Sequence, residues 1–192
     1  MSSTNPQGNP QGKGLTPVLQ DWRSFRPRKV ERKQPRRLFA DYFTSLLVLS
    51  AEFRFKPVVG QRYHLYLKQG SWRLSLIEPQ RWGEVAGDYL GHCELHGDMT
   101  WSLQPVAGLG DNDALCNALQ QFREQVMDQL DSDTPLGQQL PDYVADLPFY
   151  RRLAASGLAA SVRLATSGTN LLAQSGRQWL AQLPEDQGRR KA

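Results

Sequence analysis

A chain of 192 residues has room for one ordinary core with tails, and too little for two well-cored domains once its polar ends are set aside. Hydrophobic residues make up 40% and charged residues 22%, proportions expected of a soluble globular protein, which argues against wholesale disorder and against a membrane protein. The formal net charge of +4 hides a segregation: residues 1–37 hold nine basic residues against Asp21 and Glu31, whereas residues 111–148 hold eight acids against Arg123 alone.

Two cysteines, Cys93 and Cys116, are too few for a disulfide framework and form no Cys-x-x-Cys pair, so a reducing compartment is expected. Met1 to Gly14 is polar and rich in Pro, Gly, Gln and Asn, without the apolar stretch of a secretory signal. The longest apolar run, Leu46 to Leu49, is far below the ~20 residues of a membrane span. The expected location is cytoplasmic.

In chain order, residues 1–36 read as a disordered basic arm, because a proline-rich polar stretch with repeated Asn-Pro-Gln-Gly buries too little apolar surface to offset ordering entropy. From Leu38 to Phe53, Phe39, Tyr42, Phe43, Leu46, Leu47, Leu49 and Phe53 recur at helical spacing, predicting a helix buried over a wide face and ended by Pro57 and Gly60. Between Gln61 and Ile77 the period changes to two around Gln69-Gly70, a two-residue hairpin turn. That turn sets Leu67 opposite Trp72, Leu65 opposite Leu74 and Tyr63 opposite Leu76 on one buried face. The other face then carries His64, Tyr66, Lys68, Arg73 and Ser75. A second hairpin is expected from Tyr89–Leu95 and Met99–Leu103, with a three-residue loop pairing Leu95 with Met99 and Cys93 with Trp101.

Helices follow. Asp111 or Asn112 is placed to cap a helix whose stripe is Leu115, Ala118, Leu119, Phe122, Val126 and Leu130. A shorter helix is expected over Asp142–Leu147. Residues 149–183 read as a C-terminal amphipathic helical region, with Leu158, Val162, Ala165, Leu172, Trp179, Leu180 and Leu183 on one side and Arg163, Ser167, Asn170, Gln174 and Arg177 on the other. The predicted class is α+β: a small four-stranded antiparallel sheet of two hairpins, with a preceding helix and following amphipathic helices. The core domain spans residues 37–148, and residues 184–192 form a flexible tail.

The pattern Gly60-x-x-Tyr63-x-Leu65-Tyr66, Ser75-Leu76-Ile77-x-Pro79-x-x-Trp82-Gly83, Tyr89-Leu90-Gly91, Leu95 and Asp98-Met99-Thr100-Trp101 resembles the domain-of-unknown-function 2452 family over about residues 57–101. No activity is assigned to that family, so the resemblance implies a shared sheet and no reaction. In physical terms the aromatics are core anchors for a small sheet, and Gly83 and Gly91 suit turn or bulge positions.

No constellation points to catalysis, to a metal or to a cofactor. His64, His92 and His96 all fall in the sheet with Cys93, yet His92 and His96 on one strand stand about 13 Å apart at ~3.3 Å per residue, too far to share an ion. Cys93 and Cys116 lie on apolar faces that disfavour a thiolate. Phosphate loops, nucleophile elbows and His-Glu-x-x-His are absent from the sequence.

The strongest signal is the arm: Arg23, Arg26, Arg28, Lys29, Arg32, Lys33, Arg36 and Arg37 with Trp22 and Phe25 alongside, a combination that neutralises phosphates and stacks on unpaired bases. His64, Tyr66, Lys68 and Arg73 on the outer sheet face, with Arg62, would extend that path. Nucleic acid or a nucleoprotein is one expected partner, and an acidic protein or the chain's own acidic middle is the other; an inert solubilising tail is the bland alternative. The C-terminal helix supports a rival reading, docking on a membrane surface, on another protein or on a second copy, against the ordinary one of packing on its own core.

Overall fold

The structure, a computed structural model, describes residues 15–142, 144 and 146–182. Residues 1–14 and 183–192, including the whole of the expected tail, lie outside the described residues.

Two hairpins build the sheet. Strands β1 (Arg62–Lys68) and β2 (Ser71–Ser75) join through Gln69-Gly70, both at positive φ, the backbone that a tight two-residue turn demands. Leu67 faces Trp72 and Leu65 faces Leu74, as the alternation predicts. The third expected pair is not formed: β2 ends at Ser75, whose Oγ accepts from Ile77 N at 2.9 Å, and Leu76 turns out to solvent.

Strands β3 (Asp88–Leu95) and β4 (Trp101–Pro105) form the second hairpin, and the four antiparallel strands lie in the order β2-β1-β3-β4. Its register differs from expectation by two residues, with Leu95 opposite Trp101 and Cys93 opposite Leu103. Asp98 Oδ1 accepts from Thr100 N at 3.0 Å and from Thr100 Oγ1 at 2.6 Å, and Met99 takes a positive φ of 66°. This side-chain turn lengthens the loop to residues 96–100. A slip of two preserves strand parity, so Cys93, Leu95 and Trp101 still point inward and are buried.

The β1–β3 register shifts between Leu65 and Tyr66, which adds Leu90 as an extra residue on β3. The bulge turns Leu90 into the core while Tyr89 and His92 stay on the outer face. Gly91 is required there, since a Cβ would lie 2.2 Å from Gln104 O on β4.

Helix α1 (Leu15–Ser24) comes first, then α2 (Pro35–Ser50), which starts on Pro35 at its first turn, where a missing N–H costs nothing. Its stripe of Leu38, Tyr42, Ser45, Leu47, Val48 and Leu49 covers the inner face of the sheet, and Ser45 Oγ accepts from Trp101 N at 2.9 Å. The helix ends three residues short of the expected Phe53. Glu52 N donates to Trp72 O at 2.8 Å and Leu74 N donates to Glu52 O at 3.1 Å, so the sheet edge captures this backbone.

A turn of helix, α3 (Pro79–Trp82), lies between β2 and β3. After the sheet come α4 (Asp113–Leu130), a single turn α5 (Leu136–Gln139), α6 (Phe149–Ala165) and α7 (Gly176–Leu180). Asn112 Oδ1 accepts from Leu115 N at 3.0 Å and caps α4, with Asp113 in the first turn to favour the helix dipole.

Where a helix was expected over Asp142–Leu147, the described residues are turn and coil. Pro148 disfavours helix at Leu147, the last residue of that stretch.

The C-terminal region is not one helix. It breaks after Ala165, with Gly168 in the left-handed region at φ 78°, and α7 restarts from a Ser175–Gln178 capping box. The break folds the apolar stripe back onto the core. Trp179, 1% exposed, stands 5.3 Å from Phe39 and 6.2 Å from Tyr42 between ring centroids.

The polar side of that region pairs with the acidic middle. Arg163 binds Asp142, and Arg177 binds Asp131 at 2.7 Å and Asp133 at 3.0 Å. Among the described residues no helix is long and apolar enough to cross a membrane.

Candidate nucleic-acid interface

The expected disordered arm is, from Leu15 onward, a helix followed by a strap, residues 25–34, laid against the core. Asp21 on α1 is buried, and it accepts from Lys56 Nζ at 2.8 Å and from Tyr150 Oη at 3.3 Å. Phe25 is 4% exposed within the main core. Arg28 N then donates to Gly97 O at 2.7 Å, and Lys29 takes a positive φ of 53° as the strap turns. Average composition hid these few anchors: one aromatic, one buried carboxylate and a handful of specific bonds replace the missing apolar stretch.

Lys33 closes the strap. Its Nζ lies 2.8 Å from both Asp41 on α2 and Asp98 in the β3–β4 turn. Burial opposes the charged ammonium, but hydrogen bonds to Asp41 and Asp98 outweigh it and raise the pKa. Asp98 moves the other way: burial alone would raise it, and the bonds from Lys33 and Thr100 hold it below the usual carboxylate range.

The other cations on α1, the strap and the start of α2, namely Arg23, Arg26, Arg28, Lys29, Arg32, Arg36 and Arg37, are exposed. Arg37 also reaches Asp41 at 3.1 Å with its side chain 75% exposed. Trp22, 43% exposed, stands on α1 next to Arg23 in the chain. Arg28, Lys29 and Lys33 with Glu31 and the His96–Asp98 turn line a groove of about 430 Å³. The strap therefore presents a cationic ridge on a fixed backbone.

The outer sheet face does not extend this ridge. Tyr66, expected outside, is 1% exposed, because Trp82 of α3 packs on it at 5.3 Å and Tyr89 at 5.2 Å, and its Oη donates to Ile77 O at 2.8 Å. Local alternation cannot show that a later segment folds back over a face. Lys68 and Arg73 lie at the Gln69-Gly70 end of the sheet, whereas the strap meets the opposite end, where Arg62 pairs with Glu94 next to the 96–100 turn. Arg73 lies 3.8 Å from Glu52.

One neighbour pair leaves no trace in the sequence pattern. His64 and His92 stand opposite each other on β1 and β3, with His64 Nδ1 3.1 Å from Tyr89 Oη. The pairing of β1 with β3 across an intervening strand and helix is non-local and has no periodic signal. Burial, opposed by Glu78 and assisted by His92 and Arg62, holds the His64 imidazole below its ordinary value. Among the described residues no three His, Cys, Asp or Glu side chains converge to hold a metal ion. Burial also pushes the Cys93 thiol up to about 12, so it is neutral near pH 7.

Residues 29–125 match the family described as a protein of unknown function (DUF2452). That span takes in the strap from Lys29, the whole sheet and most of α4, more than the stretch that carries the resemblance in the sequence. A search of curated proteins and a search of solved structures gave no match.

Proposed function

Since the chain belongs to the DUF2452 family, whose function is unknown, we propose a role from its own surface: a non-enzymatic binding protein that holds single-stranded nucleic acid along the basic strap. The observation that carries this reading is the set of seven exposed cations on α1, the strap and the start of α2, with the strap tied to the core through Phe25, Arg28 and Lys33, and with exposed Trp22 next to Arg23 in the chain. Cations at fixed positions neutralise successive phosphates, and an exposed indole stacks on an unpaired base whatever its sequence. A pre-ordered strap also avoids much of the ordering cost that a free arm meets on binding. Nucleic acid is favoured over an acidic protein partner by the exposed Trp22 indole that adjoins Arg23 in the chain. The two cysteines are free, in keeping with a cytoplasmic setting.

The test is binding of a fluorescent single-stranded oligonucleotide across a salt series. Full-length protein binds with steep salt dependence. Changing Arg28, Arg32, Arg36 and Arg37 together to Ala weakens binding to every sequence and flattens the log–log salt slope by about 0.7 for each phosphate that is no longer neutralised. Unchanged binding at low salt in this variant overturns the reading.

A further inference from the structure

The strap separates two depressions that share Lys33 as a wall. On one side lies the cationic groove; on the other is a pocket of about 180 Å³ lined by Thr166, Thr169, Asn170, Gln174 and Gln182 over a floor that includes Leu171. The smaller volume is below that of a whole-ligand cleft and suits a single flat ring. The lining is mostly apolar, and three of its polar side chains are amides. Gln182 Nε2 donates to Gln174 Oε1 at 2.8 Å, and Asn170 is the third amide on the lining. Thr166 and Thr169 donate their hydroxyl protons to Val162 O and Thr166 O, and Thr169 Oγ1 accepts from Leu171 N at 3.3 Å, so both hydroxyls are engaged by the backbone and the amides are left as the groups that recognise a ligand.

Lys33 is the one charged side chain on the pocket lining, and a second cation stands close by. The Arg32 guanidinium lies over Gly168, 2.9 Å from where a Cβ would stand, in the turn that carries the pocket residues. Lys33 is engaged by Asp41 and Asp98 and so acts as a wall.

Resting on the nucleic-acid reading above, we propose that one nucleotide sits astride the strap, with its phosphate against Arg28, Lys29 and Arg32 and its base, adenine by preference, in the amide pocket. Side-chain amides offer a donor beside an acceptor, the complement of an adenine edge. Leu171 and Ala165 supply apolar surface for the ring face.

The experiment compares single-stranded oligomers of about twelve adenines and about twelve thymines on the full chain and on Asn170→Ala/Gln174→Ala. The full chain prefers the adenine oligomer by roughly fivefold or more, the low end of what one bidentate amide–adenine pair discriminates. The double variant loses that preference and keeps its salt slope. A preference that survives the double substitution, or is absent from the full chain while salt-dependent binding persists, overturns the pocket assignment and leaves the strap reading standing. Absence of salt-dependent binding to either oligomer removes the strap reading and this one with it. Thermal melts of the double variant confirm that its fold is intact, as expected for substitutions at exposed and half-buried turn positions.

Discussion

Lys33 Nζ donates to Asp98 Oδ2 at 2.8 Å across 65 positions of sequence, and so ties the basic strap to the turn between β3 and β4. The depressed pKa of Asp98 makes this tie sensitive to acid. A carboxylate held low by its partners contributes stability that is fully present above its unfolded value, about 3.9, and is lost as pH falls through its folded value. Asp98→Asn keeps an oxygen for Thr100 and removes the charge facing Lys33. It is expected to cost about 1.5 to 3 kcal/mol at neutral pH, the range for a hydrogen bond to a charged group. Urea melts at about pH 7 and about pH 2.5 check this: the gap between wild type and variant narrows at the acid end, and a gap independent of pH refutes the assignment.

The first hairpin allows a test of register. Trp72 is 8% exposed on the inner face, so Trp72→Ala is expected to cost about 3 to 5 kcal/mol. Arg73, next along, is half-exposed and 3.8 Å from Glu52, so Arg73→Ala should cost under about 1 kcal/mol. Urea melts of the two variants rank them, and the reverse order would contradict the pairing.

At the bulge, Gly91→Ala drives a methyl group into the Gln104 carbonyl of β4, backbone that cannot swing away. The expected cost is about 1 to 3 kcal/mol or more, as for overpacking of a tight site. Hydrogen exchange gives the local readout: protection should fall first at the paired amides of β4, and a variant as stable and as protected as wild type would show that the sheet yields easily there.

For the C-terminal region the choice lies between core and membrane. Trp179 is 1% exposed against Phe39 and Tyr42, so Trp179→Ala is expected to cost about 3 to 5 kcal/mol in the absence of lipid. Leu172, half-buried and packed against the core, should tolerate Leu172→Asp poorly for the same reason, since a carboxylate there loses water without gaining a partner. Wild-type stability in both variants, together with loss of sedimentation with anionic vesicles, would reinstate the interfacial reading.

Local chemistry alone determined much of the sheet. The Leu67–Trp72 and Leu65–Leu74 pairs follow from a two-residue turn and a period of two, and both signals lie within a dozen residues. The inward face of the second hairpin was legible too, because a loop lengthened by two residues leaves parity intact, although the pairing itself depended on the Asp98 side chain. The Asn112 cap and the α4 stripe were likewise visible in the chain. What remained hidden was decided by contacts between distant segments. Tyr66 is buried because Trp82 folds over it, and the long C-terminal helix breaks near Gly168 because folding back lets Trp179 reach the core. The segment from α1 through the strap is held to the core because Asp21, Phe25 and Lys33 each find a partner that composition cannot reveal. Periodicity records which side of an element is apolar, and only the packed chain determines what covers it.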